Sequence, residues 1–301
     1  VAKAVTDLQK QADNVQQAAD KNQPTDGPGP GAGARAGPIL DRVPLISLHD
    51  RAALAARFRT DPALHLFELG DLDEPTWHNT TWYTASAEHG PVALLFSGGD
   101  TPVLLAFARP TAVPPLEALL GDLRPFLPRR FTAGLPDGAE RALAPDYAVE
   151  RRTPLLRMLL TDGLPDADVD HGAEPLTTDD LPAVRALLAE SYPEAWFDPR
   201  MLSGGDYVGV RRDGRLLAVA GVHVHSPVQR VAVLGNVTTH PDARGRGLAR
   251  ACVTALCRHL AATTDHLGLN VRTDNAPAIR LYERLGFTTV ATYNELVLGT
   301  A

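Results

Sequence analysis

Cysteine is nearly missing: Cys252 and Cys257 are the only two in 301 residues. Two residues five positions apart give neither a disulfide framework nor a metal cluster, so no metal site is expected and a reducing cytoplasm is the default. Lysine is missing from most of the chain as well. All three lysines (Lys3, Lys10, Lys21) lie near the start, and everything later takes its positive charge from arginine. The net charge is −7, which argues against a nucleic-acid surface as the main business. No apolar run approaches the ~20 residues that span a membrane, and no apolar stretch of signal-peptide type opens the sequence. With 44% hydrophobic and 22% charged residues, the composition is that of a soluble globular protein of one to three domains.

Residues 1–38 differ from the rest. Five of the six glutamines lie there. Val1, Val5, Leu8, Ala12, Val15 and Ala19 alternate steps of four and three, a weak heptad pattern, and the glycine-rich stretch 27–37 reads as a linker. Two readings stay open: a mobile extension, or an association helix that would make a homodimer. Residues 39–170 show a mixed α/β pattern. Strands are expected at 43–48, 82–84, 92–96, 103–107 and 155–160, with helices at 50–58, capped by Asp50, and at 116–123. No glycine cradle follows the 103–107 strand, where Arg109-Pro110 leads to Pro114-Pro115. A break rich in Asp and Pro at 163–174 marks a boundary.

Residues 174–301 have the clearest order. A helix over 180–190, capped by Thr178 or Asp179, leads to a loop with Tyr192, Glu194, Trp196 and Phe197. A hairpin follows around Asp213-Gly214, with strands at 207–210 and 216–225. The stretch 231–249, VAVLGNVTTHPDARGRGLA, then reads as strand, turn and helix start. His240-Pro241-Asp242 breaks the strand. Beyond it, Leu248, Cys252, Leu256 and Leu260 share a helix face with neighbours at three- and four-residue steps. A helix start offers unpaired N–H groups and a partial positive charge, and Gly245 and Gly247 remove side chains that would hold a diphosphate off the backbone. A strand at 267–271 follows. Asn275 then opens another helix, with Ala278, Ile279, Tyr282 and Leu285 on one face and Gly286 as its stop. Final strands are expected within 287–298.

Arg244-x-x-Gly247-x-Ala249 resembles the acyl-CoA-binding signature of the GNAT N-acetyltransferases. Asn275-x-x-Ala278-x-x-x-Tyr282-x-x-x-Gly286-Phe287 resembles the second motif of that superfamily, and the phrase GNVTTHPDARGRGLA its glycine N-acyltransferase-like branch. The resemblance implies a GNAT fold of α+β (mixed α/β) class. Its centre is a mixed, largely antiparallel sheet with flanking helices and two splayed parallel strands. It also implies a tandem of a degenerate half (39–170) and a catalytic half (174–301).

For function the resemblance implies acetyl-CoA as co-substrate, with no metal, and a primary amine of a small molecule or peptide as acceptor. Backbone groups at Val237, Thr238 and Thr239 would pair with the pantetheine arm. The amides of Arg244, Gly245, Arg246, Gly247, Leu248 and Ala249 would hold the diphosphate, and Asn275 would touch the cofactor. Backbone N–H groups around Val237 would stabilise the oxyanion. Tyr282 is the expected general acid. No glutamate stands between Val231 and Thr239, so His223, His225 and Glu194 are the candidate bases. A non-catalytic acyl-CoA-binding module is the main rival reading. A dinucleotide site fails because Arg250 stands where the third glycine belongs and Asp265 precedes a strand. A nucleic-acid site on Arg244, Arg246, Arg250 and Arg258 lacks an aromatic platform.

Overall fold

The structure, a computed structural model, describes residues 45–74, 76–163 and 172–301. The heptad stretch, the linker and most of the 163–174 break lie outside the described residues. Val43–Ala301 forms one compact unit, and its centre is a twelve-stranded sheet. In chain order the strands are β1 (Ile46–Leu48), β2 (Thr80–Thr84), β3 (Val92–Phe96), β4 (Val103–Leu105), β5 (Arg130–Leu135), β6 (Tyr147–Leu160), β7 (Ala173–Pro175), β8 (Val208–Arg212), β9 (Arg215–Ser226), β10 (Val231–Thr239), β11 (His266–Arg272) and β12 (Phe287–Thr300). The helices are α1 (Arg51–Phe58), α2 (Leu66–Gly70), α3 (Val113–Leu123), α4 (Leu181–Ser191), α5 (Leu248–Leu260) and α6 (Ala276–Arg284).

Across the sheet the order is β1-β2-β3-β4-β5-β12-β6-β11-β10-β9-β8-β7. Each run of six strands repeats one plan, with a parallel pair at its fourth and fifth members (β4 with β5, β10 with β11) and antiparallel pairs elsewhere. The sixth strands are exchanged. β12 lies between β5 and β6, and β6 lies between β12 and β11. The long antiparallel pair of β6 and β12 therefore stitches two halves of the same strand plan into one sheet.

Local chemistry explains most elements. Asp50 accepts from the N–H groups of Ala52 and Ala53 and starts α1. The prolines at 114 and 115 sit in the first turn of α3, where their missing donors cost nothing. Thr177, one residue earlier than expected, caps the turn before α4 in a reciprocal box with Asp180. At the hairpin, Asp213 and Gly214 both take positive φ, the backbone a two-residue turn requires. The second half packs Leu248, Cys252, Leu256 and Leu260 of α5 against Val210, Ala218, Ala232 and Leu269. On the opposite face, α1 and α2 cover Val231 and Val233. Helices of the first half thus roof strands of the second. Among the described residues no helix is long and apolar enough to cross a membrane.

The roof is tight. A Cβ added to Gly268 of β11 would stand 2.3 Å from Leu66 Cδ1 and 3.0 Å from Met158 O. Gly268→Ala is expected to lose about 1–3 kcal/mol, read as a lower urea midpoint with an unchanged slope. Burial pushes the thiols of Cys252 and Cys257 up to about 12. At pH 8 the native protein should therefore leave a thiol-reactive dye unmodified, and the unfolded chain should react at both cysteines.

Candidate active site

β10 and β11 run hydrogen-bonded in parallel from Val231 opposite His266 to Leu234 opposite Leu269. Beyond that they part. β10 stays with β9, through Gly235 opposite Gly221 and then, past a bulge, Thr238 opposite Val219 and Thr239 opposite Ala218. β11 stays with β6 as far as Arg272 opposite Leu155. A cleft opens between two strands whose facing backbone groups lack each other as partners, and buried backbone groups require partners.

At the bulge Asn236 takes φ +53° and is 4% exposed. Asparagine tolerates this left-handed conformation better than other side chains with a Cβ. Its Nδ2 donates to Trp196 O at 3.0 Å and to Tyr207 Oη at 2.9 Å. Tyr207 in turn donates to Met201 Sδ at 3.4 Å, and burial pushes its phenol up to about 12. Two strand glycines make room for rings. A Cβ on Gly221 would stand 2.1 Å from the Tyr207 ring, and one on Gly235 would stand 2.3 Å from the imidazole of His223. Trp196 closes edge-on over His223, with ring centroids 5.5 Å apart. Asn236 and Tyr207 were missed by sequence reasoning. The facing pair Gly221 and Gly235 was the available signal, since glycine inside a strand marks a close approach.

The turn after β10 is fixed from below. His240 is 3% exposed. Its Nδ1 accepts from the Asp242 N–H at 3.2 Å, and its Nε2 lies 2.8 Å from Glu190 Oε1 of α4. Gly245 and Gly247 take φ +74° and +79°, and a Cβ on Gly245 would meet nothing within 4 Å. Gly247 caps α5 without a side-chain hydrogen bond. The first N–H groups of a thirteen-residue helix are therefore free to meet an anion. Arg244 donates to Thr239 O at 3.4 Å. Beside the turn a cavity of about 620 Å³ is lined by Arg212, Asp213, Arg215, Leu217, Arg246 and Leu248. Arginines thus gather at one edge of an acidic protein.

The remaining expected residues divide. Asn275 caps α6, accepting from the Ala278 N–H at 3.3 Å. Tyr282 is 6% exposed and packs on Phe287 at 5.9 Å. Burial, then Cys257 and Tyr192, hold its phenol above the ordinary tyrosine range, so it stays protonated at neutral pH. Glu194 is exposed on the loop that carries Tyr192 and Trp196. Burial first, then the charges of Glu295 and Glu194, raise the Tyr192 phenol above its ordinary range.

His225 does not belong to this group. The bulge of β9 at His223 breaks the alternation that would set both histidines on one face. His225 sits opposite Ala232, before the strands part. Its Nδ1 lies 2.7 Å from Asp206, which also bonds His259, and its Nε2 lies 3.0 Å from Thr263. These partners stand at the C-terminal end of α5, away from the free N–H groups. His225 is a satisfied structural histidine. Among the described residues no group of three His, Cys, Asp or Glu could hold a metal ion.

Comparison with known proteins gives the same picture. The acetyltransferase (GNAT) family profile matches residues 175–287. A mycothiol acetyltransferase of Saccharomonospora viridis is 36% identical over 123 residues, which are 38% of this chain and 38% of that protein. A mycothiol acetyltransferase of Kineococcus radiotolerans is 34% identical over 200 residues, 66% of this chain and 59% of that protein. The chain thus spans under two thirds of the length of these relatives. A solved GNAT-family acetyltransferase of Colwellia psychrerythraea, 14% identical, superposes with a TM-score of 0.51 over 85% of this chain and 99% of its own. That likeness concerns the fold. With the parted strands, the uncapped helix and the family match all on the same residues, the chain's segment 175–287 is a domain of the GNAT acetyltransferase family.

Proposed function

We propose that the chain transfers an acyl group from acyl-coenzyme A, acetyl-CoA in the first place, to a primary amine of a small molecule or peptide. The observation that carries this reading is the parting of β10 from β11 directly ahead of the uncapped start of α5. An arm bearing amides fits two facing strand edges as an added strand would, and a diphosphate fits the free N–H groups that follow. Gly245, with nothing near its missing Cβ, leaves the backbone open to phosphate oxygens. Arg244 and Arg246 add charge of the right sign. The relatives' names support a small-molecule acceptor.

The chain's own groups then have separate tasks. Backbone N–H groups near Val237 stand where oxygen charge develops at the thioester. The neutral His223 takes the proton of the attacking amine, and the protonated Tyr282 supplies one to the departing sulfur. Glu194 at the rim helps to seat a cationic acceptor. The lack of a carboxylate on β10 favours a second reading, a module that binds acyl-CoA without turnover.

Residues 39–170 serve in this proposal as a silent half. Gly134 of β5 lies opposite Glu295 of β12, as Arg272 of β11 lies opposite Leu155 of β6. β4 pairs with β5 up to that level and Ala106 N–H still donates to Gly134 O. β10 leaves β11 at Leu269, three residues before Arg272. Phe107 then lies against Gly134 where a slot would be.

Calorimetric titration with acetyl-CoA should therefore give one site per chain, and mixed amines should accelerate release of free coenzyme thiol. Binding at two sites would sink the silent-half assignment. Binding without thiol release with any amine would favour the module. Tyr282→Phe is expected to lower kcat about 10²–10⁴-fold while leaving the Kd for the coenzyme unchanged.

A further inference from the structure

Asp71 follows the last residue of α2, and among the described residues its carboxyl forms no hydrogen bond or ion pair. We propose that Asp71, supplied by the first half, receives the ammonium group of the acceptor and takes the first of its two departing protons. This role extends the transferase reading and rests on it. The proton balance requires such a group. A primary amine carries a proton at pH 7, since its ordinary pKa is about 10. Acylation forms an N–C bond and breaks the C–S bond. The nitrogen gives up two protons, the sulfur gains one, and one goes to solvent. His223 takes a proton from nitrogen after attack, and Tyr282 supplies the one on sulfur. The other must leave before attack, because the nitrogen needs its lone pair.

Geometry sets Asp71 beside the cleft. α2 crosses the sheet just before the strands part. Leu66 lies over Gly268 of β11, and a Cβ on Gly70 would stand 2.0 Å from Val224 Cγ1 of β9. Gly268 and Val224 both pair with Val233, one residue before Leu234, the last of β10 to pair with β11. Phe67 and Asp71 are four residues apart in helical backbone and share one side of α2. That side looks past the parting. The Arg157 guanidinium stands 5.5 Å from the Phe67 ring, and Arg157 lies opposite Asn270, one residue beyond the last pair. On β9, His223 stands one position nearer the cleft than Val224. The bulge sets both on the roof face, Val224 against Gly70 and the His223 ring against Gly235.

The surroundings of Asp71 suit a cation. Asp71 keeps partial exposure, yet burial, then the Glu68 charge, pushes its carboxyl up to about 8. A side chain that water reaches while protein crowds it stands in the wall of a recess. Glu68 is 1% exposed and lies three residues before Asp71 and three after His65. His65 Nδ1 stands 2.8 Å from its Oε1, so Oε2 is the oxygen turned toward Asp71, and it has no partner. A sealed carboxylate oxygen without a donor is costly, and a cation held at Asp71 offsets that cost. An ammonium brings three donors, whereas no group of three ligands for a metal exists among the described residues. The protein's own charges are engaged elsewhere. Arg157 of β6 donates to Leu64 O and Asn270 Oδ1, and Asp73 accepts from Ser226 of β9. Burial keeps His223 neutral at pH 7 and pushes the Tyr293 phenol of β12 up to about 12, and Glu194 is exposed on its loop.

Carbon-13 spectra of the full chain, labelled at the aspartate carboxyls, read this titration directly and need no activity. The Asp71 signal, assigned by its loss in Asp71→Asn, should have its midpoint at about 8. Saturating propylamine, a cation at that pH, should lower the midpoint by about 1–3 pH units, as an opposite charge beside a carboxylate does. Tetramethylammonium at the same concentration has no N–H to donate and should leave it in place. A midpoint in the ordinary carboxylate range overturns the proposal, as does one that propylamine does not move or that tetramethylammonium moves as far. With an amine that supports thiol release, Asp71→Asn should lower kcat/KM about 10²–10⁴-fold at pH 7 and leave the Kd for acetyl-CoA unchanged. The loss should shrink toward pH 10, where the amine arrives neutral, and a loss that stays constant overturns the proton-removing part. Melting curves establish that the variant is folded. If acetyl-CoA binds and no amine is acylated, the transferase reading fails, while the propylamine titration still decides the ammonium site.

Discussion

The need of every backbone donor and acceptor for a partner governs this molecule more than any single contact. Eleven neighbouring pairings connect twelve strands, three of them across bulges. The parallel pair of β10 and β11 parts altogether beyond Leu234 and Leu269. A gap of this kind persists only if the strands on either side are held elsewhere. β9 holds β10 through a bulge, with Asn236 in a left-handed conformation that its side chain then ties to Trp196 and Tyr207. β6 holds β11 through Arg272. The cleft is thus enforced by neighbours and offers polar edges to whatever carries matching amides.

The two halves show how small a change closes such a cleft. They share strand plan and connection order, and both carry a helix between the parallel strands. In the first half the hydrogen bonds continue to Ala106 and an aromatic ring follows. The helix there begins with prolines where the second half has glycines with positive φ. The same architecture is a packed core on one side and an open edge on the other, and a few residues decide which. Nearby, the buried Arg157 guanidinium stacks 4.1 Å from the Phe107 ring and donates to Leu64 O and, at 3.3 Å, to Asn270 Oδ1. It therefore links the closed half to the wall of the open one.

Much of the second half could be read from the chain alone, because its signals are local. The glycines at 245 and 247, the apolar spacing of α5, the Asn275 cap and the Gly286 stop each act within a few residues, and the structure has them where the pattern put them. In the first half α2 was missed, since five residues are too few to show a helical period. β5 was missed because Arg130, Thr132 and Gly134 alternate with apolar residues too briefly. The exchange of β6 and β12 leaves no local trace at all. Each strand alternates acceptably wherever it pairs, and its partner is chosen by packing some 140 residues away. His225 misled for a related reason. Its partners Asp206 and Thr263 are 19 and 38 positions distant, and a one-residue bulge moved the ring off the expected face.

The exchange of strands also bears on how the protein is made. Growing from its N-terminus at about 5–20 residues per second, the chain presents β1 to β5 long before the strand that must cover the open edge of β5. That strand is β12, the last of the twelve. The earlier-made half therefore cannot close its sheet during translation of the later one. It emerges with a bare edge, and the helices it lends as a roof wait for the strands they will cover. Cutting the gene between the halves would leave two fragments, each missing a strand that only the other can provide.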